Sequence, residues 1–465
     1  MAQRRSIPVG RVKRVAPLVA LTGRTAGDAV VASLQRRIRG VDNTAAVHER
    51  AADRYAAVLG RSRGVLMKAG QILSFFAPSD GATASVYSTA LARLQSDAPP
   101  MAPEEAAEVV RAELGAPPEE IFAEFDAVPF AAASIGQVHR ATLHDGRVVA
   151  VKVQYPGVDE AIRADLANVE LLGTFLRLGA SVMPDMPKID TRALAEEVSA
   201  RIGEEIDYRT EAANQIEFAD AYRGHPFIRI PEVISELSTA RVLTMEYVDG
   251  MRWAEAAEQD KELRDRWGEV IYRFVWGSMR RLRAANADPH PGNYLFHPDG
   301  TVTFLDFGCV KRFSAEQVLG LQAMERAGNE GDPVRLWHEA TALGFTTGGR
   351  APSPEQLADW LDVLWRPSTG EQPFTYTPEF GMEATRQVMS PFGTHAEVLR
   401  RIDLPPDFTF FLRTDAGLTA ILCRLGATGY WRSIVDEYDG VAPPATELGH
   451  AEIEFWGAIP AGGPR

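Results

Sequence analysis

The chain has 465 residues, 45% of them hydrophobic and 24% charged. That composition excludes global disorder and a single small domain. Its net charge is −14, yet residues 1–40 hold nine Lys or Arg against Asp28 alone. A basic arm therefore precedes a strongly acidic body. An acidic body excludes nucleic acid as the main partner, because phosphate contacts need a basic footprint. The arm suits anionic lipid, the protein's own acidic face, or plain solvent.

Only Cys309 and Cys423 are present, which excludes a disulfide framework and a cysteine-based metal site. The longest apolar runs break short of the roughly 18 residues a membrane helix needs; Val65 to Phe76, for example, contains Lys68 and Gln71. No charged start, apolar stretch and cleavage site follow one another at the N-terminus. The expectation is a cytoplasmic protein without a membrane span, with peripheral membrane contact left open through the arm.

Beyond the arm, residues 43–76 read as helix, since Ala45, Ala51, Ala56, Val58, Leu59, Val65 and Leu66 recur near helical spacing. Val86 to Gln95 reads as a second helix, stopped by Asp97-Ala98-Pro99-Pro100. Pro103 to Leu114 is a third, with Pro in its first turn and Glu104 and Glu105 near its N-terminus. The period changes near residue 125. Phe125 to Ala133, Gln137 to Leu143 and Arg147 to Gln154 read as strands, the last two joined by a tight turn at His144-Asp145-Gly146.

Helical patterns return at 158–179 and 191–222, Arg241 to Tyr247 reads as a strand, and helix dominates from 254 onward. The exception is a hairpin, Tyr294 to Phe296 and Thr301 to Leu305, turning at His297-Pro298-Asp299-Gly300. Two stretches rich in Gly, Pro, Ser and Thr, 345–355 and 366–380, read as loops. Strands first and helices afterwards predict an α+β, two-lobed body behind a helical preface.

The most specific signal is Ala287-Asp288-Pro289-His290-Pro291-Gly292-Asn293, followed by Leu305-Asp306-Phe307-Gly308. Phosphoryl transfer asks for positioned charge more than covalent help. A carboxylate meets the attacking hydroxyl, while an amide and a second carboxylate hold Mg²⁺. Kinases place the base and the Asn five residues apart and follow them with Asp-Phe-Gly. Asp288 and Asn293 have that spacing, and Asp306 follows across the predicted hairpin. Asp288 is thus the candidate catalytic carboxylate, and Asn293 and Asp306 are the candidate metal ligands.

Upstream, Val149-Ala150-Val151-Lys152 closes a predicted strand, like the kinase lysine that holds the α- and β-phosphates. A lysine in an apolar strand is costly to bury without an anionic partner. Where a kinase shows a Gly-rich loop, this chain has Ala131-Ala132-Ala133-Ser134-Ile135-Gly136. Alanine resists positive φ, so the loop should be stiffer over a nucleotide. Lys68 and Gln71 share a helix face in Lys68-Ala69-Gly70-Gln71. Glu204, Asp207 and Glu211 share another, with Glu205 off it. Leu243 to Gly250 ends a strand and enters a turn, where a kinase offers backbone groups to adenine; Glu246 and Val248 are the candidate positions.

Taken together, these residues resemble the UbiB family of atypical kinase-like proteins, linked to quinone (coenzyme Q) biosynthesis. The diagnostic set is Lys68-Ala69-Gly70-Gln71, the Ala-rich loop, Lys152, Glu205-Ile206-Asp207, Asp288 to Asn293 and Asp306-Phe307-Gly308, spanning about half the chain. The resemblance implies a protein-kinase-like fold with the Lys68–Gln71 helix over the active site and Glu205 and Asp207 paired with it. It implies that Glu211 matches the glutamate that pairs with Lys152, although the choice between Glu205 and Glu211 stays open. It also implies ATP and Mg²⁺ binding, weak or conditional ATPase activity, and partners among ATP or ADP, anionic lipid and quinone-pathway proteins. The family usually has His where this chain has Asn286, a position expected to support the loop backbone.

This organisation divides the chain into a basic arm (1–40), a helical extension (41–124), a kinase-like N-lobe (125–247), a helical C-lobe (248–440) and a tail (441–465). Two other readings share parts of the motif set. A small-molecule kinase of the aminoglycoside or choline type shares the Asp-x-His-Pro-Gly-Asn run but lacks the Lys68–Gln71 helix. A nucleotide-gated scaffold would bind without turnover.

Overall fold

The computed structural model describes residues 100–133, 135–160, 206–346, 351–389, 394–399, 401–402 and 406–457. Lys68, Gln71, Glu205 and Ser134 lie outside them. The described residues form two compact units: those up to Ala212 with Val233–Tyr247, and Ala213–Glu232 with those from Val248 on.

The first unit opens with helix α1 (Pro103–Leu114), where the sequence places it. Pro103 needs no N–H in the first turn, the Glu105 carboxylate accepts from the Ala102 N–H, and Gly115 at φ +85° ends the helix. A short turn, α2 (Pro118–Ile121), leads into an antiparallel sheet. Its order is β1 (Glu124–Phe125), β3 (Gly136–Thr142), β4 (Val148–Gln154) and β6 (Val242–Glu246), with β2 (Ala131–Ala132) also on β3. The expected strand Phe125 to Ala133 is therefore two short pieces. Pro129 has no N–H for the ladder, and Val128 beside it is 76% exposed. The β3–β4 turn closes through Gly146 at φ +86°, with its N–H on the Leu143 carbonyl. Strand β4 lies between two neighbours and is buried along nearly all its length. Helix α3 (Tyr208–Ala221) starts in this unit, and the division between units falls within it.

The second unit is built on helix α5 (Lys261–Leu282), which follows a short turn, α4 (Trp253–Ala256). Asp260 caps α5, its carboxylate accepting from the Leu263 N–H. Arg283 ends the helix at φ +53° and feeds β7 (Ala284–Asn286). The predicted hairpin is present as β8 (Tyr294–Phe296) and β9 (Val302–Phe304), with β5 (Ile228–Arg229) added parallel to β9. β10 (Val310–Arg312) pairs antiparallel with β7, matching Val310 to Asn286. Against these pieces lies a core of Trp267, Phe274, Phe296, Phe304 and Phe307, with Phe274 and Phe304 stacked.

Beyond them follow α6 (Ala315–Asn329), α7 (Pro333–Ala342), α8 (Pro354–Thr369), β11 (Phe374–Thr375), α9 (Pro378–Met389), α10 (Ala396–Leu399), α11 (Pro406–Leu425), β12 (Thr428–Gly429), α12 (Trp431–Tyr438) and α13 (Glu447–Trp456). The expected loop at 366–380 is largely replaced by the end of α8, strand β11 and the start of α9. Pro367 lies in the last turn of α8, where side chains serve two of the carbonyls near the helix end. Ser368 and Thr369 hydroxyls donate to the Trp365 carbonyl, and Gln372 donates to that of Pro367. Among the described residues, no helix is long and apolar enough to cross a membrane.

Candidate active site

In the first unit, the register puts Lys152 opposite Val138 on β3 and Leu243 on β6, inside the sheet. The residue is 7% exposed. Its Nζ lies 2.8 Å from both carboxylate oxygens of Glu211, which is 5% exposed. Of the two glutamates the sequence left open, the structure pairs Glu211 with Lys152; Glu205 lies outside the described residues. A buried ammonium held by two charge-assisted hydrogen bonds has its side-chain direction fixed, which a nucleotide-binding lysine requires.

The Tyr208 ring lies 5.0 Å from the same ammonium. Sequence reasoning missed this residue, although Tyr208 and Glu211 are three apart on α3 and so share a helix face. Asp207 sits just before α3, its carboxylate accepting from the Arg209 N–H, a local capping role. Its expected partner helix lies outside the described residues.

The Ala-rich segment turns tightly. Ala131 and Ala132 pair with Val138 and Gln137, and the Ala133 N–H donates to the Gly136 carbonyl. Among the described non-glycine residues only Arg283 and Asp306 have positive φ, so the three alanines sit in ordinary backbone. Gly136 has no room for a side chain, since a Cβ there would lie 2.3 Å from the Val153 carbonyl oxygen. At the far edge of the sheet, Glu246 ends β6 opposite Val149 with its side chain exposed. Val248 follows, half-buried, in the second unit.

In the second unit, β7 delivers the chain to Asp288, and a 3₁₀ turn, Pro291–Asn293, brings it back. The Asn293 amide nitrogen donates to the Asp288 carbonyl at 3.1 Å. With its nitrogen committed, its oxygen is the end available to a cation. The Leu305 N–H donates to the Asn293 carbonyl, so the loop carrying Asp306 is tied directly to the turn. Asn286 joins the two loops again. Its oxygen accepts from the Asp288 N–H at 3.1 Å, and its nitrogen donates to the Asp306 carbonyl at 2.9 Å. Tyr294 beneath them is fully buried, and burial, reinforced by the Asp288 charge, pushes its hydroxyl pKa well up.

Asp306 itself stands at φ +63°, a left-handed conformation that costs a non-glycine residue about 1–2 kcal/mol. Its Oδ1 accepts from the Gly308 N–H. The Asn214 amide nitrogen donates to the next carbonyl, that of Phe307, at 3.0 Å. Asn214 is a second residue that sequence reasoning missed, since it lies in an acid-rich stretch with no motif of its own.

Carboxylate and amide oxygens are hard donors, suited to Mg²⁺ rather than zinc. Among the described residues no group of three or more His, Cys, Asp or Glu stands together as a metal cage. Asp306 and Asn293 offer donors of this kind and would be the residues to hold a Mg²⁺.

A sheet lysine paired with a helix glutamate, and an Asp–Asn turn tied to a left-handed Asp-Phe-Gly loop, define a kinase-like protein. The comparisons specify which kind. Residues 93–332 match the model of the ABC1 atypical kinase-like domain, and the chain belongs to this family, the UbiB group the sequence resembles. It is 34% identical to the chloroplast protein ACTIVITY OF BC1 COMPLEX KINASE 1 of Arabidopsis thaliana, over 66% of this chain and 44% of that relative. It is 29% identical to the mitochondrial atypical kinase COQ8B of Rattus norvegicus, over 92% of this chain and 80% of the relative. Among solved structures, the Rv3197–erythromycin complex from Mycobacterium tuberculosis is similar with a TM-score of 0.62. It is 32% identical, covering 86% of this chain and 99% of that one. The chain thus spans less than half of the first relative, most of the second and nearly all of the third.

Proposed function

We propose that the protein binds ATP with Mg²⁺ and catalyses conditional phosphoryl transfer, to water or to a small hydroxyl, in support of quinone or isoprenoid lipid metabolism. The observation that carries this reading is the tied pair of loops. Asn293 is fixed on Asp288, Asn286 bridges to Asp306, and Asp306 stands in a left-handed conformation. Preorganised charge of this kind is what phosphoryl transfer demands.

In this reading Lys152, directed by Glu211, takes the nucleotide phosphates, with Ala131–Ser134 and the backbone around Glu246 and Val248 alongside the nucleotide. Asn293 and Asp306 hold Mg²⁺, which when bound neutralises charge on the transferring phosphate. Asp288 orients the attacking hydroxyl and accepts its proton. Lys68, Gln71, Glu205 and Asp207 guard the site against a protein substrate, which favours a small acceptor. The link to lipid metabolism is supported by family membership and by COQ8B among the relatives, and the basic arm suits an anionic surface.

The test is ATP turnover by the purified protein with Mg²⁺, with and without vesicles containing anionic lipid, beside Asp288→Asn. Turnover that rises with vesicles and falls at least about a hundredfold in the variant supports the reading. Nucleotide binding without turnover in any condition, unchanged in Asp288→Asn, moves the function to a nucleotide-gated scaffold.

A further inference from the structure

Resting on the reading of Asp306 as a Mg²⁺ ligand, we infer that Asn214 and Asn286 act together as an amide clamp. The clamp holds Asp306 in its left-handed conformation and thereby sets the affinity of the site for its cation. Both are positioning residues. The clamp grips two successive carbonyls, Asn286 Nδ2 on that of Asp306 at 2.9 Å and Asn214 Nδ2 on that of Phe307 at 3.0 Å. With Leu305 tied to Asn293 on the preceding side, rotation about the Asp306 N–Cα bond, which would release its positive φ, would swing the Asp306 carbonyl off Asn286. The gripping groups come from two separate elements upstream in the chain, Asn214 from α3 and Asn286 from the end of β7.

Neither amide is free to flip. A flipped amide would point its oxygen at a carbonyl and its nitrogen at a donor. Asn286 Oδ1 already accepts from the Asp288 N–H at 3.1 Å, and Asn214 Oδ1 accepts from Arg312 Nη2 at 3.1 Å. Arg312 is itself set by a two-pronged contact to Glu217, at 2.9 and 2.7 Å. Asn214 is 9% and Asn286 6% exposed, so water competes weakly for these bonds. The Phe307 ring is fully buried and lies 5.0 Å from Phe218, one helical turn beyond Asn214 on α3. The backbone between the two carbonyls is thus held by amides and its side chain by the core.

Neither amide titrates in the physiological range, so the clamp transmits no pH dependence of its own to the metal loop. A histidine at position 286 can still donate a ring N–H, yet it would titrate.

The experiment measures ADP affinity by calorimetry, with Mg²⁺ and with EDTA, for the full chain and for Asn214→Ala, Asn286→Ala and Asn286→His. Amide hydrogen exchange across 303–310 is followed in the same proteins. Each alanine variant should weaken the Mg²⁺-dependent gain in affinity about tenfold, leaving Mg²⁺-free affinity within about twofold. Exchange at Phe307 and Gly308 should accelerate while the β8–β9 hairpin stays protected, which separates loop release from general unfolding. Asn286→His should recover most of the gain at pH 8. Equal losses with and without Mg²⁺, or unchanged exchange in both alanine variants, would overturn the clamp. If the unaltered protein shows no Mg²⁺-dependent gain, the metal reading fails, and the exchange data alone decide whether the clamp exists.

Discussion

Removing the guanidinium of Arg273 should destabilise the second unit severely and with a characteristic pH dependence. Arg273 lies in α5, fully buried. Nε donates to Glu269 at 2.8 Å, Nη1 to Glu437 at 3.1 Å and Glu452 at 2.8 Å, and Nη2 to Glu437 at 2.9 Å and Thr446 at 3.0 Å. One side chain thus joins α5, α12 and α13, and α5 is the helix that delivers the chain to Asp288. Arg273→Met keeps much of the volume but leaves Glu437 and Glu452, 6% and 1% exposed, without their main cation.

Breaking a buried pair from one side costs about 3–5 kcal/mol, because the remaining charge stays desolvated. Arg281 remains 3.6 Å from Glu452 and the Tyr438 hydroxyl donates to it at 2.9 Å. The expected loss is therefore about 3 kcal/mol, or a fall in Tm of about 6–12 °C. Burial already holds the Glu452 pKa above its ordinary value, against the pull of Arg273 and Arg281. Loss of Arg273 raises it further. A carboxyl raised in the folded state gains protons on folding, so the deficit is full at neutral pH and shrinks as pH falls toward the ordinary glutamate range. Urea and thermal melts of both proteins at pH 7.5 and pH 5 give the comparison. A deficit below about 1 kcal/mol, or one that grows on acidification, would mean that Glu437 and Glu452 do not depend on Arg273 for their burial.

Gly417→Ala on α11 should disturb the catalytic loop without touching a charged group. Its Cβ would lie 2.5 Å from Pro289 Cγ and 3.1 Å from the Pro289 carbonyl oxygen. Relieving that contact moves the loop by about 1 Å, enough for roughly a hundredfold loss of turnover; turnover equal to the parent's would contradict it. Gly136→Ala should cost about 3 kcal/mol in urea melts, because a Cβ meets the Val153 carbonyl, which cannot swing away as a side chain could. His225 should make the fold acid-sensitive. Burial first, then the charges of Arg281 and Arg273, push its pKa down to about 3. Folding then excludes a proton that the unfolded chain binds below pH ~6.5, so stability falls as pH drops from there toward 3, by up to about 5 kcal/mol. The difference between the parent and His225→Phe across that range isolates the effect, and a flat difference would rule it out.

How far the sequence spoke depends on the range of the interactions involved. Asp288, Asn293 and Asp306 stood out as candidates because the chemistry proposed for them fixes their spacing. The helix from Pro103 and the turn at Asp145-Gly146 were legible because caps and turns are local. The partner of Lys152 was not, since helical phase identifies a face but not what docks against it. Glu211, 59 residues away, is settled only by packing. The Arg273 hub joins residues 164 and 179 positions apart, and in the sequence Arg273 is one basic residue on an amphipathic helix. Strands β7 and β10 have three residues each, too few to show alternation. The loop expected at 366–380 failed for a different reason. Pro367 reads as a breaker, yet the helix runs on through it to Thr369, with side chains folded back onto the Trp365 and Pro367 carbonyls at its end. Asn286 lay between these cases. Its place before Asp288 marked a loop support, but its bond to the Asp306 carbonyl 20 residues on needed the fold.

As proposed, the protein binds nucleotide together with Mg²⁺ through Lys152 and Asp306. The most direct measurement is ATP affinity with and without Mg²⁺ for the parent, Lys152→Met and Asp306→Asn, each checked for an unchanged melting transition. Asp306→Asn should abolish the Mg²⁺-dependent gain while keeping Mg²⁺-free binding, and Lys152→Met should weaken both by about tenfold or more. No ATP binding by the parent, or binding indifferent to both substitutions, would contradict it.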